Sequence, residues 1–225
     1  MSSFSIKPQN KSDIRTIIYI LVFYFFCCFP FAQAYLKNHK FLYNYWSLFF
    51  CITTLIILFS TGRLNLPKIG FSRFKWRQIN LGVSLFLLPL TSAVILDIII
   101  VKTGIADNNL FIGAELRKFQ EFSNIDLLFE GFLSPIISQL FITGYVLNGL
   151  VKNNKIAIPV NGVLYSVINL NFGIGYLALG IVSGGLVRFT GYLMPAILFN
   201  LGCAFAKILT LTMYPRLTTF LVFFN

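Results

Sequence analysis

Activating water inside an apolar protein takes particular side chains: a metal held by His, Cys or carboxylates, two carboxylates sharing one proton, or a nucleophile with a base beside it. The 225-residue chain has one histidine and seven acidic residues, so each route can be checked by residue. His39 stands between Lys37 and Lys40 in a short polar stretch and cannot gather a zinc site alone. Asp97 is the one aspartate well inside an apolar run, which leaves an aspartyl dyad without its second member. A serine mechanism would fall back on Lys207, a poor base candidate facing no evident nucleophile. Cys27, Cys28, Cys51 and Cys203 follow no metal or redox spacing and read as small apolar packing residues. No metal and no cofactor is therefore expected.

Two acids remain in or next to apolar runs, where an ionisable group is a functional candidate by default. Asp97 lies five residues before Lys102, and Glu130 opens the following run. One reading makes them anchors at the membrane boundary or partners of a loop base. The other makes them contacts for a cation or a binding partner. A cluster of glycines, Gly173, Gly175, Gly180, Gly184 and Gly185, marks a further element. Gly180 and Gly184 are one helical turn apart, the spacing that lets two helices approach closely, and packing within one bundle is expected over dimerisation.

These residues are carried by a chain that is 57% hydrophobic and 11% charged, with a mean hydropathy of +0.79. Soluble domains run at roughly 45–50% and 25%. The pattern predicts an all-α, polytopic transmembrane bundle of about seven helices with short amphipathic segments. The runs cover about 17–36, 43–61, 81–101, 127–150, 156–170, 172–188 and 192–213, and Leu217 to Phe224 is too short for an ordinary crossing. Pro89 predicts a kink in the third run. Residues 63–77, with five basic residues among Phe71, Phe74 and Trp76, are expected along the headgroups. Residues 102–125, with Asp107, Glu115 and Glu121, read as a loop holding a short amphipathic helix. Three parts follow: a basic N-terminus over 1–15, a three-helix region over 16–125, and a core over 126–225.

The formal charge of +11 comes from Lys and Arg in short clusters between apolar runs, which is the pattern of orientation signals and anionic-lipid contacts rather than of nucleic-acid binding. Lys7, Lys11, Arg15, the 63–77 cluster, Lys152, Lys155 and Arg188 fall on one side of the threading, which places the N-terminus in the cytoplasm.

Within the core, Ser134–Gly144, Leu164–Leu170 and the stretch from Tyr176 through Gly191 to Asn200 resemble the CPBP family of intramembrane proteases, which includes CAAX-prenyl endopeptidases and bacteriocin-processing or self-immunity proteins. The family's first segment is an apolar run with Pro and then Glu-Glu-x-x-x-Arg-Gly. Its second is Phe-x-x-x-His, and its third joins a Gly-rich helix, a Thr-Gly turn and a helix with His-x-x-x-Asn. Fitted to that pattern, Ser138 and Gln139 stand in the glutamate places, Thr143 in the arginine place, Tyr165 in the aromatic place, Asn169 and Asn200 in the histidine places and Ala204 in the asparagine place. The framework is kept and the catalytic groups are replaced by neutral ones.

That resemblance implies a bacterial plasma-membrane protein that has lost proteolysis and acts by binding a membrane peptide, a lipid or a partner protein. Its expected binding residues are Ser138, Gln139, Thr143, Asn169 and Asn200, with Asp97 and Glu130 beside them, and the five neutral residues are expected to bond one another. The alternatives are a divergent endopeptidase using Glu130 or Asp97, and a small transporter or assembly subunit.

Overall fold

The bilayer offers no partner to a bare N–H or C=O, so an apolar run long enough to cross it has to close its hydrogen bonds within itself as a helix. The computed structural model describes residues 11–67, 69–71, 76–104, 123–151, 153–170, 172–214 and 217. Five of its helices are long and apolar enough to span a membrane: α1 (Ile14–Leu36), α2 (Lys40–Ser60), α3 (Trp76–Lys102), α4 (Asn124–Leu150) and α7 (Met194–Met213). Two shorter apolar helices, α5 (Asn154–Ile168) and α6 (Ile174–Thr190), lie between α4 and α7. The protein is an all-α membrane bundle, and its seven helices match the seven apolar runs.

Prolines shape these helices without ending them. In α1, π-helical turns at Tyr24–Cys28 and Ala32–Leu36 straddle Pro30, and in α4 the segments Phe129–Leu133 and Gln139–Leu147 straddle Pro135. A proline leaves the carbonyl four residues before it without a donor, and i→i+5 bonding is one way for the helix to adjust. Pro89 sits inside α3, which continues through it to Lys102.

Glycines set the closest contacts. Gly82 of α3 lies against Leu198 of α7, and Gly202 of α7 lies against the backbone of Phe86. Both pairs advance by four residues in the same direction, so α3 and α7 run parallel. In the α5–α6 hairpin, a Cβ on Gly180 would meet the Asn161 carbonyl oxygen at 2.7 Å and the Gly162 Cα at 2.8 Å, and one on Gly184 would meet the Asn161 Cβ at 2.9 Å. The Gly180–Gly184 face is thus occupied by α5. At the α6–α7 turn Gly191 takes the left-handed conformation, φ 75°, that closes a helix.

One end of the bundle gathers the start of α1, the 61–71 loop, the start of α5 and the α6–α7 turn. Arg63 Nη1 donates to Thr16 Oγ1 (2.7 Å), Arg188 Nη2 to the Val151 carbonyl (2.7 Å), and the Leu193 N–H to the Gly70 carbonyl (3.0 Å). Of the basic stretch 63–77 expected along the headgroups, the structure describes 63–67, 69–71, 76 and 77. Ile69 is buried and Phe71 packs against the cluster formed by Val187, Leu193, Ala196 and Ile197, so the described part of the loop folds against the bundle. Residues 72–75 and the amphipathic helix expected within 102–125 fall in stretches outside the described residues, as does the tail beyond Leu217, which itself packs on Ala93 and Ile100.

The α5–α6 hairpin is short: about 22 and 25 Å at 1.5 Å per residue. Tyr24, midway along α1, donates its hydroxyl to the carbonyl of Ile168, the last residue of α5. The tip of the hairpin therefore lies beside the middle of α1.

The glycine contacts give a direct test. Gly202→Ala should force α7 away from Phe86 and cost about 1–3 kcal/mol, the usual range for overpacking. Gly185→Ala, which meets nothing within 4 Å, should leave thermal unfolding in detergent unchanged or slightly raised.

Candidate functional site

A polar side chain in the middle of a bilayer bundle must bond to another side chain or to backbone, because water is not there to do so. Six buried side chains, Gln139, Thr143, Asn161, Tyr165, Ser183 and Asn200, meet that demand in three layers across α4, α5, α6 and α7. In the first, the fully buried Asn161 of α5 donates through Nδ2 to Thr143 Oγ1 of α4 (3.1 Å) and to the Gly180 carbonyl of α6 (2.7 Å). In the second, Gln139 Nε2 of α4 donates to Ser183 Oγ of α6 (2.7 Å). In the third, Asn200 Nδ2 of α7 donates to the Pro135 carbonyl of α4 (3.1 Å) and to the Tyr165 hydroxyl of α5 (3.2 Å).

The π-helical segment Gln139–Leu147 carries both α4 members, and of its nine residues only Leu140 escapes full burial. Bonding at i→i+5 turns successive residues by less than an α-helix does, which is a recognised way of re-aiming side chains at functional sites. Three buried oxygens of the region, Gln139 Oε1, Asn161 Oδ1 and Ser166 Oγ, have no hydrogen-bond partner among the described residues.

Towards the other end of the bundle the belt gives way to charge. Lys207 Nζ of α7 pairs with Glu130 Oε2 of α4 at 2.9 Å, with side-chain exposures of 54% and 33%. Asp126 accepts from the Tyr45 hydroxyl (2.9 Å) and from Ser123 Oγ (2.7 Å), and Ser123 caps α4.

The residues singled out in the sequence divide between these groups. Gln139, Thr143 and Asn200 enter the belt. Ser138 is half-buried and joins none of its bonds, since two adjacent helical positions point about 100° apart and one of them must turn away. Asn169 also stays outside, donating to the carbonyl of Tyr165 one turn back in its own helix (2.9 Å). The expectation that the five neutral residues bond one another is thus corrected: their partners are Asn161, Ser183, Tyr165 and backbone carbonyls. Glu130 pairs with a lysine of another membrane helix instead of a loop base. Asp97 is half-buried on α3, and the parallel register of α3 and α7 sets it level with Met213, the end of α7.

Asn161 and Ser183 complete the belt from positions outside the family-like pattern. Each had a signal. Asn161 is an amide in an otherwise apolar run, and Ser183 stands beside Gly184 on the small-residue helix, three positions after Gly180.

Chemically, the belt offers amides and hydroxyls only. It can fix helices and present two buried amide oxygens to a donor, and it holds no carboxylate or imidazole. Among the described residues no three His, Cys, Asp or Glu side chains come together as a metal-binding group.

Two substitutions separate belt from rim. Asn161→Leu removes two interhelical bonds, each worth about 0.6 kcal/mol and at most roughly 1.7 in membrane proteins, and should lower the unfolding midpoint, while Asn169→Leu should change it far less. Lys207→Met should reduce folded yield by leaving Glu130 without its partner, and adding Glu130→Gln should recover part of it.

Set against known proteins, the chain matches no family model, no curated protein and no solved structure.

Proposed function

We propose that this chain is a non-proteolytic membrane protein of CPBP-like design that acts by binding a membrane peptide, a lipid or a partner protein. One observation carries the reading. Gln139, Thr143 and Asn200, which stand in the places of a family glutamate, the arginine and a histidine, are buried and held in bonds that tie α4 to α5, α6 and α7. A charged group lost from such a place would strand its partners in the bilayer at a cost of several kcal/mol, so the set is neutral together or charged together. On this reading the belt is scaffold, and recognition falls to the half-exposed pair Glu130–Lys207 at its rim. The basic residues at the 61–71 end support a cytoplasmic position for that end.

The competing reading is a divergent endopeptidase built on Glu130. Its carboxylate is already engaged by the Lys207 ammonium, which leaves it poorly placed as a general base. Purified protein in liposomes, incubated with prenylated CAAX peptides and with leader peptides, should show no cleavage and should carry well under one equivalent of zinc. A firmly bound zinc that a chelator removes, or cleavage abolished by Glu130→Gln, would overturn the proposal.

A further inference from the structure

No residue of the polar belt lines the groove between α1 and α2, and the inference drawn from it does not rest on the preceding reading. Consecutive helices of a bundle usually pack along their length. Here they meet through large rings: Tyr24 stacks on Trp46 with centroids 4.9 Å apart, and Phe50 reaches Tyr24 at 4.7 Å. Over Trp46 and Phe50, which form its aromatic floor while Tyr24 lies buried beneath, a lateral groove of about 1180 Å³ is left open. Phe23, Cys27 and Phe31, spaced by four, form its α1 wall, and Trp46, Thr53 and Ile57 contribute the α2 wall. It extends from Thr16 to Leu36, which is about 30 Å of helix.

The groove is apolar along its walls and cationic at one mouth. Arg63 lines that mouth, is exposed, and donates through Nη1 to Thr16 Oγ1. A guanidinium has five N–H donors in a fork that matches phosphate, so one bond to a threonine leaves most of its capacity free. An occupant must therefore be amphipathic, with long apolar tails and an anionic head at the level of Arg63. A helix from a second copy fits badly, because at that end of the bundle the chain's own helices carry Arg15, Arg77, Lys155 and Arg188, and like charges would meet Arg63. We infer that the α1–α2 groove holds an anionic phospholipid, its phosphate on Arg63 and its acyl chains laid along the aromatic floor.

Trp46 reports on this site. The chain has two tryptophans, and Trp76→Phe leaves Trp46 alone inside the groove. The Trp76→Phe protein is reconstituted in phosphatidylcholine with a minor fraction of phosphatidylglycerol or phosphatidylcholine brominated near the chain ends. Brominated phosphatidylglycerol should quench Trp46 at a mole fraction roughly fivefold lower than brominated phosphatidylcholine, the preference that one arginine near a membrane surface gives an anionic lipid. Unbrominated phosphatidylglycerol added in excess should restore the fluorescence, and this arm needs no further variant. Arg63→Gln should erase the preference, while Arg15→Gln, at the same end and outside the groove wall, should keep it. Equal quenching by the two lipids would reduce the occupant to ordinary surrounding lipid and overturn the inference. So would a preference that survives Arg63→Gln, or the absence of quenching by either lipid in a protein that runs as a dimer.

Discussion

The Asn161 carboxamide is the interaction on which the core of this bundle turns. From one nitrogen it holds α4 through Thr143 and α6 through the Gly180 carbonyl, and it does so from a position with no exposure at all. That reach is possible because Gly180 and Gly184 bring the α6 backbone to within contact of α5, so that a short side chain spans the gap. The glycines and the amide act as one device. Between helices in lipid there is little hydrophobic force to draw them together, and close backbone approach with a few hydrogen bonds takes its place.

The same logic accounts for the widened segment of α4. Gln139 and Thr143 are four positions apart on a π-helical stretch and engage different partners, Ser183 of α6 and Asn161 of α5. Asn200 then fixes α7 to α4 by way of the Pro135 carbonyl. Inside the belt the four helices are tied by neutral groups, and the one ion pair among the described residues, Lys207–Glu130, joins α7 to α4 half-exposed at the edge, where its desolvation is incomplete.

Much of this architecture was legible in the residues. Apolar length set the seven helices, since a bilayer permits few other solutions, and Thr190-Gly191 marked the turn before α7. Gly180 and Gly184 announced a close contact, although which helix would fill it was not written in one sequence. The belt was half legible: Gln139, Thr143 and Asn200 stood out by polarity and by family likeness, while Asn161 is a lone amide in an apolar run with no motif to mark it. Ser138 and Asn169 shared that polarity but not the facing. Polarity says that a side chain needs a partner, and only the helix rotation and the neighbouring helix say whether that partner is its own backbone or another segment. The Lys207–Glu130 pair shows the same limit, for the two residues lie 77 positions apart.

The short α5–α6 hairpin has a consequence for the surrounding lipid. Its tip meets α1 at Tyr24, halfway along, and neither helix reaches the roughly 30 Å of an average hydrocarbon core. Phe172 and Ile174 at that tip are exposed, with Asn169 beside them. A hydrophobic element shorter than the local hydrocarbon core is accommodated by thinning of the bilayer, by snorkelling side chains or by association, at a cost of fractions of a kcal/mol per ångström of mismatch. The α5–α6 hairpin is thus the element whose fit depends most on hydrocarbon thickness, because the five longer helices have length to spare where it has none.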